Sequence, residues 1–284
     1  MNMSSLHDCP LAFARSFLFV PGNRPQRFEK AVRSGADAVV LDLEDAVPLA
    51  DKSLARHAIG DSLPRLRELG VPLLVRINAA SLALGEEDLR WLAHLPGVAG
   101  VMLPKAESDG DVLQVRAAAH GVPVLPIIES AAGHAALQSI AAAPGVLRLV
   151  VGHIDFMADT GLQCGEEQAE LAPLRFAVAM ATRLNGLAPA IDGVTVEVGD
   201  EARLHADALR AVRFGFGGKL CIHPGQVAAL HRSLTPTEGE LAWARRVIEA
   251  DRCSGGAALQ LDGRMVDAPV VLQARRALAR AGAA

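Results

Sequence analysis

With 284 residues, 51% of them hydrophobic and 21% charged, the chain can fill one large α/β core, and a formal net charge of −4 argues against electrostatic capture of nucleic acid or of an anionic membrane. Cys9, Cys164, Cys221 and Cys253 are scattered without a CxxC pair, as in reduced thiols rather than a disulfide framework or a zinc site. No basic segment leads an apolar run at the N-terminus and no stretch reaches the ~20 apolar residues of a membrane helix, so a soluble, cytoplasmic protein with no membrane and no nucleic-acid partner is expected.

Short apolar runs recur along the chain, separated by stretches of helical periodicity. SFLFVP (16–21) precedes an amphipathic segment at 27–35, and AVVLDLED (38–45) precedes a longer one at 51–69. PLLVRIN (72–78), GVMLPK (100–105), PVLPIIE (123–129) and LRLVVGHID (147–155) follow. A helical stretch at 169–186 then leads to PAIDGV (189–194) and GKLCIHP (218–224). The runs are nearly continuous in Val, Ile and Leu, as strands covered on both faces of a parallel sheet require. The residues that close them, Pro21, Glu44, Arg76, Lys105, Glu129, Asp155, Asp192 and His223, lie 23 to 37 positions apart. Dividing ~250 residues among eight βα units gives ~31. No GxGxxG turn follows the first run, which favours a closed (β/α)8 TIM barrel over residues 12–232 against a dinucleotide fold. The remainder, 233–284, reads as a C-terminal helical extension, with a capped helix at 235–250, a flexible link at 252–259 and a turn and helix over 261–282. It is expected to serve as a lid or an arm between subunits.

Residues at strand ends face the catalytic mouth of such a barrel. Here they bring carboxylates after the second, fifth, sixth and seventh strands, an arginine after the third and a lysine after the fourth. So many charges on one rim need compensation, which a divalent cation and an anionic substrate would supply. Glu129 and Asp155 lie one βα unit apart and have no histidine or thiolate partner, a donor set suited to Mg²⁺; alternatively, each caps the helix that follows it. The planar guanidinium of Arg76 can grip a carboxylate in two places or pair with Glu44, and both can hold at once. In LDLED, Asp42 and Glu44 share one face of the strand while Asp45 points away and can cap the next helix. His223 reads more as a satisfied histidine than as a base, and Lys105 and Lys219 as surface lysines or phosphate contacts.

The ordered set RSFLFVPGNRPQRFEKA, ADAVVLDLEDAVPLADKSLAR, VRIN, VMLPKAES, PIIES, VGHIDFMADTG, AIDGV, GFGGKLCIHPGQV and GRMVDAPV resembles the citrate lyase β-subunit-like branch of the HpcH/HpaI aldolase family, over residues 15 to 284. The resemblance implies Mg²⁺ held by Glu129 and Asp155, with Arg76 gripping the carboxylate of the 2-oxo-acid half of the substrate and Glu44 joining it in the catalytic set. It implies coenzyme A near Phe19, Pro21, Arg24 and Lys219. It also implies a homo-oligomer, trimer or hexamer, in which Asp267 of the MVDAP motif reaches a neighbouring active site as general acid/base. The expected reaction is a retro-Claisen cleavage of a 3-hydroxyacyl-CoA, with citramalyl-CoA giving acetyl-CoA and pyruvate. Malyl-CoA or citryl-CoA cleavage, a malate synthase or thioesterase activity, and a CoA-independent metal aldolase are the alternatives. Two departures stand out: Ser130 where the family often has Thr, and Ile154 where an acidic residue often precedes the metal Asp. The second bears on the acyl preference.

Overall fold

Eight parallel strands close into a barrel in sequence order, with β8 returning to β1. They are β1 Ser16–Pro21, β2 Ala38–Asp42, β3 Leu73–Arg76, β4 Gly100–Leu103, β5 Val124–Ile128, β6 Val150–Val151, β7 Ile191–Asp192 and β8 Gly218–Cys221. The structure, a computed structural model, describes residues 9–282. Every strand contributes to a single buried cluster, through Phe17, Val40, Leu74, Met102, Leu125, Val150, Ile191 and Leu220 among others. Side chains alternate along a strand, so steps of two from these inward positions arrive at Phe19, Asp42 and Arg76, and from Ile127 at Glu129. The register aligns Pro21 with Asp42 and Asp42 with Arg76, setting these three residues in one row at the strand ends.

Helices cover the strands: α1 Pro10–Phe13, α2 Phe28–Val32, α3 Lys52–Arg67, α4 Ala83–Leu92, α5 Asp109–Ala118, α6 Ala131–Ala135 and α7 Leu137–Ala142. They continue with α8 His153–Thr160, α9 Ala172–Leu184, α10 Glu201–Arg213 and α11 Gly225–Leu234. At the N-terminal end of the barrel, buried Arg148 donates to the carbonyls of Leu11 (2.9 Å), Ala14 (2.7 Å) and Pro189 (2.5 Å), tying the approaches to β1, β6 and β7 together. The run expected at 147–155 is mostly not strand: β6 ends at Val151, and α8 begins at His153, so Asp155 sits in a first helical turn.

The chain divides into two compact units between Leu230 and His231. In the second, α12 (Glu238–Ser254) opens with a capping box between Thr237 and Glu240. The stretch expected as link and turn contains an antiparallel hairpin, β9 Leu259–Leu261 with β10 Arg264–Val266, turned by Asp262 (φ 51°) and Gly263 (φ 76°). Asp-Gly suits the positive φ that a two-residue hairpin turn demands. α13 (Ala268–Arg280) then starts with Asp267 as its N-cap, and Val247, Val266, Val271, Ala274 and Leu278 form this unit's small core. Among the described residues no helix is long and apolar enough to cross a membrane.

Candidate active site

Arg76 is fixed by its neighbours before any ligand arrives. Its Nε and Nη2 donate to the two carboxylate oxygens of buried Asp42 at 2.6 and 2.7 Å, the bidentate geometry that makes such pairs strong. Its Nη1 lies 2.8 Å from Glu44 Oε2, and the guanidinium stacks 4.6 Å above the centre of the Phe19 ring. Burial works against the charge of Arg76, but hydrogen bonding to Asp42 and the fields of Asp42 and Glu44 hold its pKa above the ordinary value. Asp42 also accepts from the backbone of Glu44 (3.0 Å) and Ala46 (3.2 Å), and so folds the turn that carries Glu44. Beneath that turn, buried Lys52 donates to the carbonyls of Leu43 (2.6 Å) and Glu44 (2.7 Å) and to Asn78 Oδ1 (2.8 Å).

Glu129, only 4% exposed, accepts from the backbone N–H of Lys105 at 2.7 Å. Burial first, then the nearby charge of Glu44, pushes its pKa up to about 8. Lys105 adopts a left-handed backbone (φ 47°), a strained conformation of the kind that collects at functional sites. Its ammonium donates to Glu44 Oε1 at 2.6 Å and lies 4.0 Å from Asp155 Oδ1. The three carboxylates Glu44, Glu129 and Asp155 are thus gathered around one lysine. Gly152, directly after β6, leaves room for this cluster: a Cβ there would fall 2.3 Å from Glu129 Oε2.

The capping alternative for the two carboxylates does not hold. Ser130 caps α6 by accepting from Gly133 N at 3.0 Å, while its hydroxyl donates to Glu107 Oε1 at 2.6 Å. α8 has no side-chain cap, and Asp155 stands half-exposed in its first turn. Among the described residues no cluster of three or more His, Cys, Asp or Glu side chains could hold a metal. A pair of carboxylates nevertheless suits a hard cation such as Mg²⁺, which keeps several positions for water and substrate oxygen. A divalent ion would also relieve the crowding of negative charge that keeps Glu129 reluctant to ionise.

Phe19, Pro21, Arg76, Glu129 and Asp155 line one cavity of about 370 Å³, with apolar walls from Ile127, Val151, Ile154, Val194, Leu220 and Ile222. Two residues expected beside coenzyme A are not among those lining this cavity. Arg24 is exposed in the turn after β1, its N–H bonded to the Pro21 carbonyl at 3.0 Å. Lys219 is 1% exposed, and its ammonium donates to the Gly193 carbonyl at 2.5 Å. It flanks inward-facing Leu220 and therefore points to the layer between strands and helices, where Asp192 and Asp207 balance its charge. Exposed His223 bonds to the N–H of Gly225 at 3.1 Å. Asp267 belongs to the second unit, where its carboxylate accepts from Val270 N at 3.3 Å. Sequence reasoning missed Asp42 as the anchor of Arg76, the roles of Lys52 and Gly152, and the pairing of Lys105 with Glu44 in place of a surface lysine or phosphate contact.

A family model described as HpcH/HpaI aldolase/citrate lyase matches residues 15–224. A citrate lyase subunit beta-like protein of Deinococcus radiodurans is 36% identical to this chain, over 95% of it and 98% of the relative. A (3S)-malyl-CoA thioesterase of Cereibacter sphaeroides is 31% identical, over 95% of each chain. Among solved structures, the protein CitE of Mycobacterium tuberculosis in complex with magnesium, acetoacetate and coenzyme A superposes with a TM-score of 0.83 at 35% identity, over 95% of this chain and 99% of that one.

Proposed function

The chain belongs to the HpcH/HpaI aldolase/citrate lyase family, and from that premise we propose that it is a Mg²⁺-dependent lyase of CoA thioesters. In this reading it cleaves a 3-hydroxyacyl-CoA to acetyl-CoA and a 2-oxo acid, with citramalyl-CoA and pyruvate the best-fitting pair. The observation that carries the proposal is the convergence of Glu129, Asp155 and a pre-oriented Arg76 on one cavity. The magnesium and coenzyme A bound to the similar structure from M. tuberculosis support it.

Glu129 and Asp155 would hold Mg²⁺, whose Lewis acidity lowers the cost of ionising the substrate hydroxyl. Arg76 grips the carboxylate of the oxo-acid half, and needs no reorganisation because Asp42, Glu44 and Phe19 already fix its plane. Glu44 acts through Arg76 and Lys105 rather than on the reacting bond. Asp267, as general acid/base, takes the proton of the substrate hydroxyl and, once the electrons of the broken C–C bond have become the enolate of acetyl-CoA, returns it to the enolate carbon. The proton lost by the hydroxyl balances the one gained, so no co-reactant is needed. Asp267 is assigned to the active site of a neighbouring copy in a homo-oligomer, trimer or hexamer.

Purified protein with Mg²⁺, assayed against citramalyl-, malyl- and citryl-CoA, should turn over the first most efficiently. Asp267→Ala should lower kcat far more than it weakens substrate binding. Full activity of that variant, or unchanged turnover in excess EDTA, would reject the mechanism. The similarity to a malyl-CoA thioesterase favours one second reading, thioester hydrolysis. Release of free coenzyme A thiol from malyl-CoA without acetyl-CoA would identify it.

A further inference from the structure

A second cavity of about 460 Å³ adjoins the first, and His153, Ile154 and Val194 face both. Ile154 immediately precedes Asp155 in the first turn of α8, yet its side chain is 41% exposed, an apolar group left in the open beside carboxylates. It is held there because His153 packs inward: the ring is buried, with Nδ1 so close to Gly193 that any Cβ at that position would clash with it. The shared wall is therefore built from one exposed isoleucine, one valine and the edge of a fixed imidazole. Beyond it the second cavity turns acidic, with Glu166, Glu197, Asp200 and Asp207 against a single cation, Arg203, which lies 3.3 Å from Asp207. In the first cavity, the one lysine or arginine among the lining residues is Arg76.

We propose that Ile154 and Val194 seat the substituent on the hydroxyl-bearing carbon of the substrate, and that the second cavity admits its extension, so the enzyme acts on thioesters whose oxo-acid half is an alkyl monocarboxylate longer than glyoxylate. The proposal deepens the lyase reading and rests on it. Arg76 takes the single carboxylate of the oxo-acid half. A second carboxylate, as in an oxaloacetate-derived substrate, would leave water for an apolar sill and then meet four carboxylates, with no unpaired cation to receive it. A hydrogen in place of the alkyl group forfeits the contact with Ile154 and Val194. An ethyl or propyl group keeps that contact and continues into the adjoining space.

The test has a kinetic and a binding arm. Wild-type protein with Mg²⁺ is assayed on citramalyl-CoA, its ethyl homologue, malyl-CoA and citryl-CoA, alongside Ile154→Ala and Ile154→Glu. The ethyl homologue should retain kcat/KM within about tenfold of citramalyl-CoA, and Ile154→Glu should lower the ratio of alkyl to hydrogen substrates by about tenfold or more, the usual worth of one or two methylenes in a pocket. Calorimetric titration with glyoxylate, pyruvate, 2-oxobutyrate and oxaloacetate reads the same pocket without turnover: pyruvate and 2-oxobutyrate should bind tightest, and Ile154→Glu should remove the difference. Equal binding of oxaloacetate, or selectivity unmoved by either Ile154 variant, overturns the proposal while leaving the lyase reading intact. Absence of cleavage of every thioester overturns the lyase reading, and the binding series still decides the pocket.

Discussion

At the scale of single residues, the site depends on close approaches that only particular side chains permit. Gly152 leaves room for the carboxylate of Glu129, so Gly152→Ala should displace that carboxylate while the barrel stays folded. Magnesium affinity by calorimetry should fall about 10- to 100-fold, the usual cost of disturbing a ligand's support, with an unchanged circular dichroism spectrum. Affinity within a factor of two of wild type would remove Glu129 from the metal site. Arg76→Lys tests the other half. A lysine keeps the charge but cannot bond both oxygens of Asp42 and still present a flat edge to a substrate carboxylate. Its kcat/KM should drop by about 100-fold or more, a loss of roughly 3 kcal/mol in transition-state binding. Arg76 and Glu129 were legible because each follows an apolar run whose spacing marks a strand tip, and Asp155 was singled out by the same rule although it sits in the first turn of α8. Lys105 was placed at a strand end in the same way but read as a surface lysine or phosphate contact, since its ion pair with Glu44 61 residues earlier and its backbone angle are announced by no composition.

At the scale of elements, legibility followed strand length. β1 to β5 have four to six residues and dense apolar runs, so pattern and structure agree closely. β6 and β7 have two residues each, and their flanking apolar residues belong to loops and to α8, which is why Asp155 moved from a strand end into a helix. The link between β2 and α3 was equally hidden, because Lys52 looks like any helix lysine. Removing its ammonium by Lys52→Met takes the donor from the Asn78 amide oxygen and leaves the Leu43 and Glu44 carbonyls with one donor each, Asn78 Nδ2 at 3.1 Å and Val47 N–H at 3.0 Å. The expected cost is about 2 kcal/mol or more, measured by urea denaturation, with reduced activity as Glu44 loosens. Behind β7 and β8, buried Asp192 receives Arg175 Nε at 3.0 Å and faces Lys219. Burial alone would raise its pKa, but the two cations hold it below the ordinary 3.8. With the folded value depressed, the ionised carboxylate adds stability above about pH 4, and that contribution disappears as pH falls through the folded value. Asp192→Asn should lose about 3 kcal/mol at neutral pH, as broken buried pairs do, and show a flatter decline in stability below pH 4. An acid-unfolding curve that merely shifts, with unchanged slope, would contradict this.

At the scale of the whole molecule, the division at Leu230 separates the two halves of the proposed chemistry. The first unit holds Arg76, Glu129 and Asp155 around one cavity, and the second holds Asp267 at the start of α13 on its own small core. The barrel was readable from eight repeated units, whereas the second unit was readable only in part, because its hairpin strands are three residues long. If each active site takes Asp267 from a neighbouring copy, two different lesions can complement each other. Glu129→Gln abolishes the metal site but leaves a good Asp267; Asp267→Ala does the reverse. Each pure variant should be nearly inactive. Co-expressed in equal amounts, they assort at random around a closed ring in which every subunit serves the next. A site is complete when its barrel comes from the Asp267→Ala chain and its arm from the Glu129→Gln chain, which happens about a quarter of the time. Recovery of about a quarter of wild-type activity is therefore the expected result. An arm that serves its own barrel gives no recovery in any mixture, because every chain then carries one lesion in its own site.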